Sequence, residues 1–201
     1  MKSVCVFCGS SPGDRPEYMA AAKLLGSEMA RQGLRLVYGG ASVGMMGEIA
    51  KSVLAGGGRV TGVIPKALRD KEVALTTLED LRVVDSMHER KALMAELSDG
   101  FIAMPGGLGT LEEFVEVLTW SQLGLHCKPC GLLNIVDYYK PFIGLIDHMV
   151  EQKFVNPAHR KLLLMAGRPA LLLEKMAAWQ PPVVDKAKWI LELSAHRADA
   201  A

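Results

Sequence analysis

Short apolar runs alternate along the chain with longer stretches in which apolar positions recur every three or four residues. The runs Ser3–Cys8, Arg35–Tyr38, Arg59–Ile64, Leu81–Val84, Gly100–Met104, Pro129–Leu133 and Leu162–Met165 read as strands. Several are apolar without interruption, as expected of strands covered on both faces. Between them, Glu17–Gln32, Val43–Leu54, His88–Leu97, Thr110–Leu123, Tyr138–Gln152 and Pro169–Trp179 carry helical spacing. Gly33 follows the first of these at the position of a helix-stopping glycine. This β-α-β rhythm predicts a Rossmann-like, doubly wound α/β fold, with a parallel sheet, helices on both faces and right-handed crossovers. After Gln180–Pro182 a final helix is predicted to run to about Ser194, with a frayed tail beyond it. The glycines Gly56–Gly58 form a turn too short to separate domains, so residues 1–201 read as a single domain.

Composition narrows the picture without pointing to a chemistry. Half of the 201 residues are apolar and the formal net charge is +1. That is a globular balance with no global pull toward nucleic acid or an anionic membrane. No apolar stretch reaches the ~18–20 residues needed to span a bilayer. The N-terminal apolar run ends in glycine and serine too soon for a secretory signal, so the cytoplasm is the expected compartment. The four cysteines form two C-x-x-C pairs. Cys5 and Cys8 sit on a strand, where residues three apart face opposite ways, so they cannot jointly grip a metal. Two ligands from Cys127 and Cys130 do not complete a tetrahedral site. Four reduced, mostly buried thiols and no metal are expected.

Candidate chemistry gathers at one edge of the predicted sheet. In doubly wound sheets, ligands bind outside the carboxyl ends of the strands. Three glycine-rich segments fall there: "GSSPG" at Gly9–Gly13, "GGASVGMMG" at Gly39–Gly47 and "PGGLGT" at Pro105–Thr110. The latter two open helices. Glycine lets backbone approach a ligand closely, and free N–H groups at a helix start attract anions. Any one loop could be only a tight turn, but three converging loops argue for a phosphate-bearing ligand. None fits the NTPase phosphate loop or the dinucleotide G-x-G-x-x-G, which disfavours ATP hydrolysis and NAD chemistry. Asp85–Glu96, "DSMHERKALMAE", also begins at a strand end. Its Arg90 could hold phosphate or a ring through a planar guanidinium, or form with Lys91 a solvated surface pair. His88 is a weaker candidate base, since a histidine at a helix start is more often merely exposed.

The motif P-G-G-x-G-T-x-x-E in "PGGLGTLEE", with "MHERK" upstream and the "GGASVGMMG" loop, closely resembles the LOG family. These are the cytokinin riboside 5′-monophosphate phosphoribohydrolases, often mislabelled lysine decarboxylases. The resemblance runs from "VCVFCGSSPG" through "TWSQLGLH", "KPCGLLN" and "YYKPF", leaving only the part from about Arg168 generic. It implies a nucleotide-binding Rossmann-like domain that hydrolyses the N-glycosidic bond of a purine or cytokinin riboside 5′-monophosphate, AMP included. Gly106, Gly107, Gly109 and Thr110 would then wrap the 5′-phosphate. Glu113 and Arg90 would be catalytic and Lys91 a binding neighbour. Ser10, Gly39, Gly40, Gly44, Met46, Glu72 and Thr119 would complete the substrate contacts. Glu112 is either a second ribose contact or a first-turn acid favoured by the helix dipole. Glu116 is expected to serve the helix surface or an interface. Met45, Met46, Met87 and Trp120 are candidates for an apolar base pocket, or plain core.

The implied chemistry needs no cofactor or metal. A homodimer is expected whose interface includes the Thr110–Leu123 helix and the start of "MHERK", because the apolar residues of that helix wrap much of its circumference. The rivals are a non-catalytic nucleotide carrier of related fold and a pyridoxal-phosphate lysine decarboxylase. The second requires a Schiff-base lysine for which no candidate stands out.

Overall fold

The computed structural model describes residues 1–69 and 74–182. Glu72 and the helix expected after Pro182 therefore lie outside the described residues. The sheet contains β1 (Ser3–Phe7), β2 (Arg35–Tyr38), β3 (Val60–Pro65), β4 (Asp80–Val84), β5 (Phe101–Ala103), β6 (Cys130–Leu133) and β7 (Leu163–Ala166). All of its pairings are parallel, in the order β4-β3-β2-β1-β5-β6-β7. Each expected strand is present within one or two residues of its expected bounds. The helices are α1 (Pro16–Arg31), α2 (Gly44–Ala55), α3 (Lys66–Arg69), α4 (Met87–Glu96), α5 (Leu108–Gln122), α6 (Lys140–Glu151), α7 (Pro157–Arg160) and α8 (Pro169–Ala177). The two four-residue helices, α3 and α7, are too short to leave a periodic signal. The helix expected over Tyr138–Gln152 is α6, and a 3₁₀ turn at Ile135–Asp137 precedes it.

Strand alternation divides the core into two layers. Along β1, Val4, Val6 and Cys8 pack on one face, and Cys5 and Phe7 on the other. The first face is covered by Ala22, Leu25 and Met29 of α1, Ile49 and Val53 of α2, and Leu172 and Met176 of α8. The second meets Met94 of α4, Phe114 and Val117 of α5, and the half-buried Phe142, Ile143 and Ile146 of α6. Cys5 and Cys8 thus face opposite layers, as the strand reading requires. All four thiols are free; Cys5, Cys8 and Cys130 are buried and Cys127 is exposed.

Helix α1 stops as the sequence indicates. Gly33 takes a left-handed φ of 68°. Its N–H donates to the Ala30 carbonyl at 3.0 Å, and that of Leu34 to Met29 at 2.9 Å. This is a Schellman ending. Helices α1 and α2 pack closely at Gly26, where a Cβ would lie 2.7 Å from both the Ile49 carbonyl oxygen and Ser52 Cβ. Both contacts belong to rigid parts of α2. Gly26→Ala is therefore expected to force the helices apart and cost about 1–3 kcal/mol, read as a lowered thermal midpoint. An unchanged midpoint would show that this helix pair is not close-packed.

Candidate active site

The order of the sheet reverses between β1 and β5, since β4 lies at one edge and the chain returns to the far side of β1 to lay down β5. A crevice opens at such a switch point, outside the carboxyl ends of the strands. Here it is a cavity of about 270 Å³, close to the lower end of small-molecule pockets at ~300–1,000 Å³. Its glycine-loop side is lined by Gly9, Ser10, Gly107, Gly109 and Thr110, and the opposite side by Gly39, Met46, Leu68, Met87 and Met94. Arg90, Glu112 and Glu113 also line it.

Arg90 is held there by the start of α4. Ser86 caps that helix, its hydroxyl accepting from the Glu89 N–H at 3.1 Å, while the Glu89 carboxylate accepts from the Asp85 N–H at 2.8 Å. These contacts fix the first turn. Arg90 is only 5 % exposed. Its Nη2 donates to the Gly39 carbonyl at 3.3 Å, while the buried Nε has no hydrogen-bond partner among the described residues. A buried donor left without a partner costs stability. Gly39 is glycine because a Cβ would lie 2.1 Å from that guanidinium.

The three glycine loops meet as expected, but their glycines serve different ends. Gly9 donates its N–H to the Pro105 carbonyl at 3.1 Å. A Cβ on Gly106 would lie 2.2 Å from Thr110 Oγ1 and 2.8 Å from the Gly9 nitrogen. Gly44 has φ 59°, and its Cβ would lie 2.2 Å from the Ser10 carbonyl oxygen. Gly40, with φ 84°, packs toward Ile64 and Leu81, away from the cavity. In contrast, nothing lies within 4 Å of a Cβ built on Gly107 or Gly109, and neither has a positive φ. The folded chain itself does not require glycine at these two positions, both of which face the cavity.

Five expected binding residues do not line the cavity: Gly40, Gly44, Gly106, Lys91 and Thr119. Lys91 turns away from the cavity and bridges α4 to α5, pairing with Glu112 and, at 3.1 Å, with Glu116. Thr119 is exposed, and its hydroxyl donates to the Val115 carbonyl one turn back at 2.7 Å. Glu116 serves this ion-pair cluster. Of the base-pocket candidates, Met46 and Met87 line the cavity, Met45 is core, and Trp120 packs against the second layer. His88 is exposed. The reading missed Leu68, Cys8 and Met94. Leu68 follows the end of β3, so the strand-end rule could have found it. Met94 lies one turn beyond Arg90 on the same helix face. Burial, and then the charge of Glu113, push the Cys8 thiol well up, so it stays protonated and is no nucleophile.

The fold and site define an α/β protein whose crevice offers helix-start amides, a buried arginine and a carboxylate to one small ligand. A family model described as possible lysine decarboxylase matches residues 46–176. The chain is 47% identical over 194 residues to a probable cytokinin riboside 5′-monophosphate phosphoribohydrolase of Oryza sativa subsp. japonica, a match covering 95% of this chain and 78% of that one. It is 46% identical to a cytokinin riboside 5′-monophosphate phosphoribohydrolase of Arabidopsis thaliana, covering 95% and 91%. The chain belongs to the LOG family. Among solved structures, the molybdenum cofactor binding protein of Rippkaea orientalis superposes with a TM-score of 0.66 at 21% identity, covering 89% of this chain and 97% of that one. The molybdenum cofactor carrier protein of Chlamydomonas reinhardtii gives 0.66 at 20% identity, covering 89% and 99%. At such identities the likeness is one of fold alone.

Burial opposes the charge on Lys91, but hydrogen bonds to Glu112 and Glu116 outweigh it and hold the pKa above the ordinary lysine value. Stability from a raised pKa is present below the unfolded value, ~10.4, and is lost as pH climbs through the folded one. Lys91→Met is thus expected to cost about 1 kcal/mol at pH 7. The gap in thermal midpoint from wild type should close above pH ~11. A pH-independent gap would mean that Lys91 acts through packing.

Proposed function

We propose that the protein hydrolyses the N-glycosidic bond of purine or cytokinin riboside 5′-monophosphates, AMP among them, releasing the free base and ribose 5-phosphate. The observation that carries this reading is the convergence of buried Arg90 and Glu113 on one cavity whose rim is the open Gly107–Thr110 backbone. The first N–H groups of α5 have no partner within the helix and carry its positive dipole end, which suits a phosphate monoester. Gly107 and Gly109 leave room for its oxygens against the main chain.

Glu113 follows one turn into α5. Breaking the glycosidic bond builds positive charge on the ribose, which a carboxylate beside the anomeric carbon stabilises. The same carboxylate takes the proton of the attacking water as that water bonds to the anomeric carbon. The electron pair of the broken C–N bond leaves with the purine, which takes up a proton from solvent to give the neutral base. Arg90 donates hydrogen bonds to the departing base or to the ribose and phosphate. It is too weak an acid to give up a proton outright. Met46, Met87, Met94 and Leu68 give the cavity an apolar wall that suits a purine or a prenylated purine.

The lysine decarboxylase reading is disfavoured by the lining. Among the described residues no lysine lines this cavity, and Lys91, beside Arg90, is bound by two glutamates. Free thiols at all four cysteines suit a reducing cytoplasm.

A homodimer is part of the same proposal. Leu108, Glu112, Val115, Thr119 and Leu123 form one outward stripe on α5, and Leu108 is 85 % exposed. The stripe begins at the cavity mouth with Glu112. A second copy seated along it covers apolar surface and closes the mouth, which gives Thr119 a place near the site across the interface. Light scattering should give twice the mass of a chain. An active monomer would remove this part of the reading.

Incubation with AMP or its isopentenyl derivative and chromatography of the products tests the chemistry; a carrier would bind without releasing base. Glu113→Gln is expected to keep AMP affinity within a few-fold and lose most turnover. Arg90→Ala should lose roughly 10²-fold or more in rate, with poor rescue by Arg90→Lys because an ammonium lacks the planar fork. Normal base release by Glu113→Gln would overturn its assignment.

A further inference from the structure

Two consecutive tyrosines outside the cavity lining hold the backbone that forms its rim. Tyr138 donates its hydroxyl to the Gly106 carbonyl at 2.6 Å, and Tyr139 donates to the Met104 carbonyl, also at 2.6 Å. Both acceptors lie in the segment that leads from β5 into α5. The turn that delivers them is unusual. Val136 and Asp137 have φ of 50° and 58°, in a region that non-glycine residues, and β-branched ones above all, avoid. Asn134 braces this turn. Its side-chain oxygen accepts from the Tyr139 N–H at 2.8 Å, and its amide donates to Asp137 at 3.3 Å. Strained backbone persists where its surroundings over-determine it, and it clusters at functional sites.

The Tyr139 hydroxyl is buried and ties α6 to the sheet, which is a sufficient structural role. Tyr138 differs. It is 39 % exposed, and its ring meets Tyr18 of α1 edge-on at 5.8 Å. Its one hydroxyl contact is with the peptide that joins Gly106 to Gly107. A peptide unit is planar and trans, so its C=O and N–H point opposite ways. Anchoring the Gly106 oxygen on Tyr138 therefore fixes the direction of the Gly107 N–H. The neighbouring peptide is fixed in the same way by the Gly9 N–H on the Pro105 oxygen. Two adjacent glycines have wide conformational freedom. Without an external anchor, this peptide could rotate and withdraw its donor from the cavity.

We propose that Tyr138 is a positioning residue that orients the Gly107 N–H toward the phosphate of the substrate, so that the loop meets the anion already arranged. This rests on the phosphate-binding reading of the loop given above. Orientation set in advance removes an ordering cost from binding. The contribution should appear with any ligand that carries the ribose 5-phosphate group, whatever base is attached.

Calorimetric titration of the full chain with ribose 5-phosphate, and with AMP in the slow Glu113→Gln background, tests this, alongside thermal unfolding without ligand. Tyr138→Phe keeps the ring and its contact with Tyr18. It is expected to raise the dissociation constants of both ligands by a similar factor, roughly ten-fold, with the unliganded midpoint unchanged. A Gly107→Ala variant, whose methyl meets no protein atom, should weaken both ligands as well. If Gly107→Ala weakens binding while Tyr138→Phe does not, the positioning role is overturned and the phosphate reading stands. Loss confined to AMP would also overturn it, by placing the effect at the base. If ribose 5-phosphate binds wild type and Gly107→Ala equally well, or binds neither, both the inference and the phosphate reading fall.

Discussion

Where β1 and β5 lie side by side, two chain segments leave the sheet through the same gap, and their backbones nearly touch. The Gly9 N–H bonds to the Pro105 oxygen, and Gly106 sits against both Gly9 and Thr110 with no space for a side chain. The rest of the site depends on this approach. It brings the start of α5 to the mouth of the crevice, seats the Thr110 hydroxyl beneath the loop, and carries Glu113 one turn down the cavity wall. A larger residue at Gly106 would have to move the axis of α5, and with it the carboxylate. The opposite wall repeats the device. Gly44 lets α2 start against the Ser10 backbone, and Gly39 makes room for the Arg90 guanidinium. The same residue type is used in two ways here. Some glycines are empty because protein fills the place of the side chain. Gly107 and Gly109 are empty with nothing in that place.

Those two uses explain how far the sequence could be read. The strands, the loop convergence and the strand-end position of Arg90 follow from periodicity and from the rule that α/β sheets bind at their carboxyl edge; the order of the strands does not. Arg90 and Lys91 project roughly 100° apart on their helix, and of the two Arg90 lines the cavity. Choosing between them required the acidic residues on α5 to be placed in space, and their pairing with Lys91 settled it. Thr119 stands roughly two and a half turns beyond Thr110, on the opposite side of α5. No local pattern marks that side as pointing away from the subunit's own cavity. The roles of the individual glycines were equally hidden, since each depends on which distant atoms come near. Tyr138 left no signal at all, because its placement follows from a left-handed turn that Val136 would be expected to avoid.

The site is built at a cost to the fold. A guanidinium buried to 5 % exposure with an unpartnered Nε, a half-strained turn at Val136–Asp137 and a glycine-rich helix start all favour the unfolded chain. The layer under α1, α2 and α8 is tightly covered, with side chains such as Leu25, Met29, Ile49 and Leu172 wholly buried. The layer under α4, α5 and α6 is thinner: α6 has no fully buried residue, and Leu145 and Phe154 are exposed. Arg90 and the glycine-rich start of α5 belong to helices of this thinner side. Ligand binding offsets part of that cost, because a phosphate and a purine supply partners that the empty cavity lacks. A second subunit covering the α5 stripe would offset another part by burying apolar surface that none of the described elements covers. The weak coverage and the reactive cavity thus have one origin. Elements that must leave their donors and apolar edges open for a ligand or a neighbour cannot also be closed tightly against their own sheet.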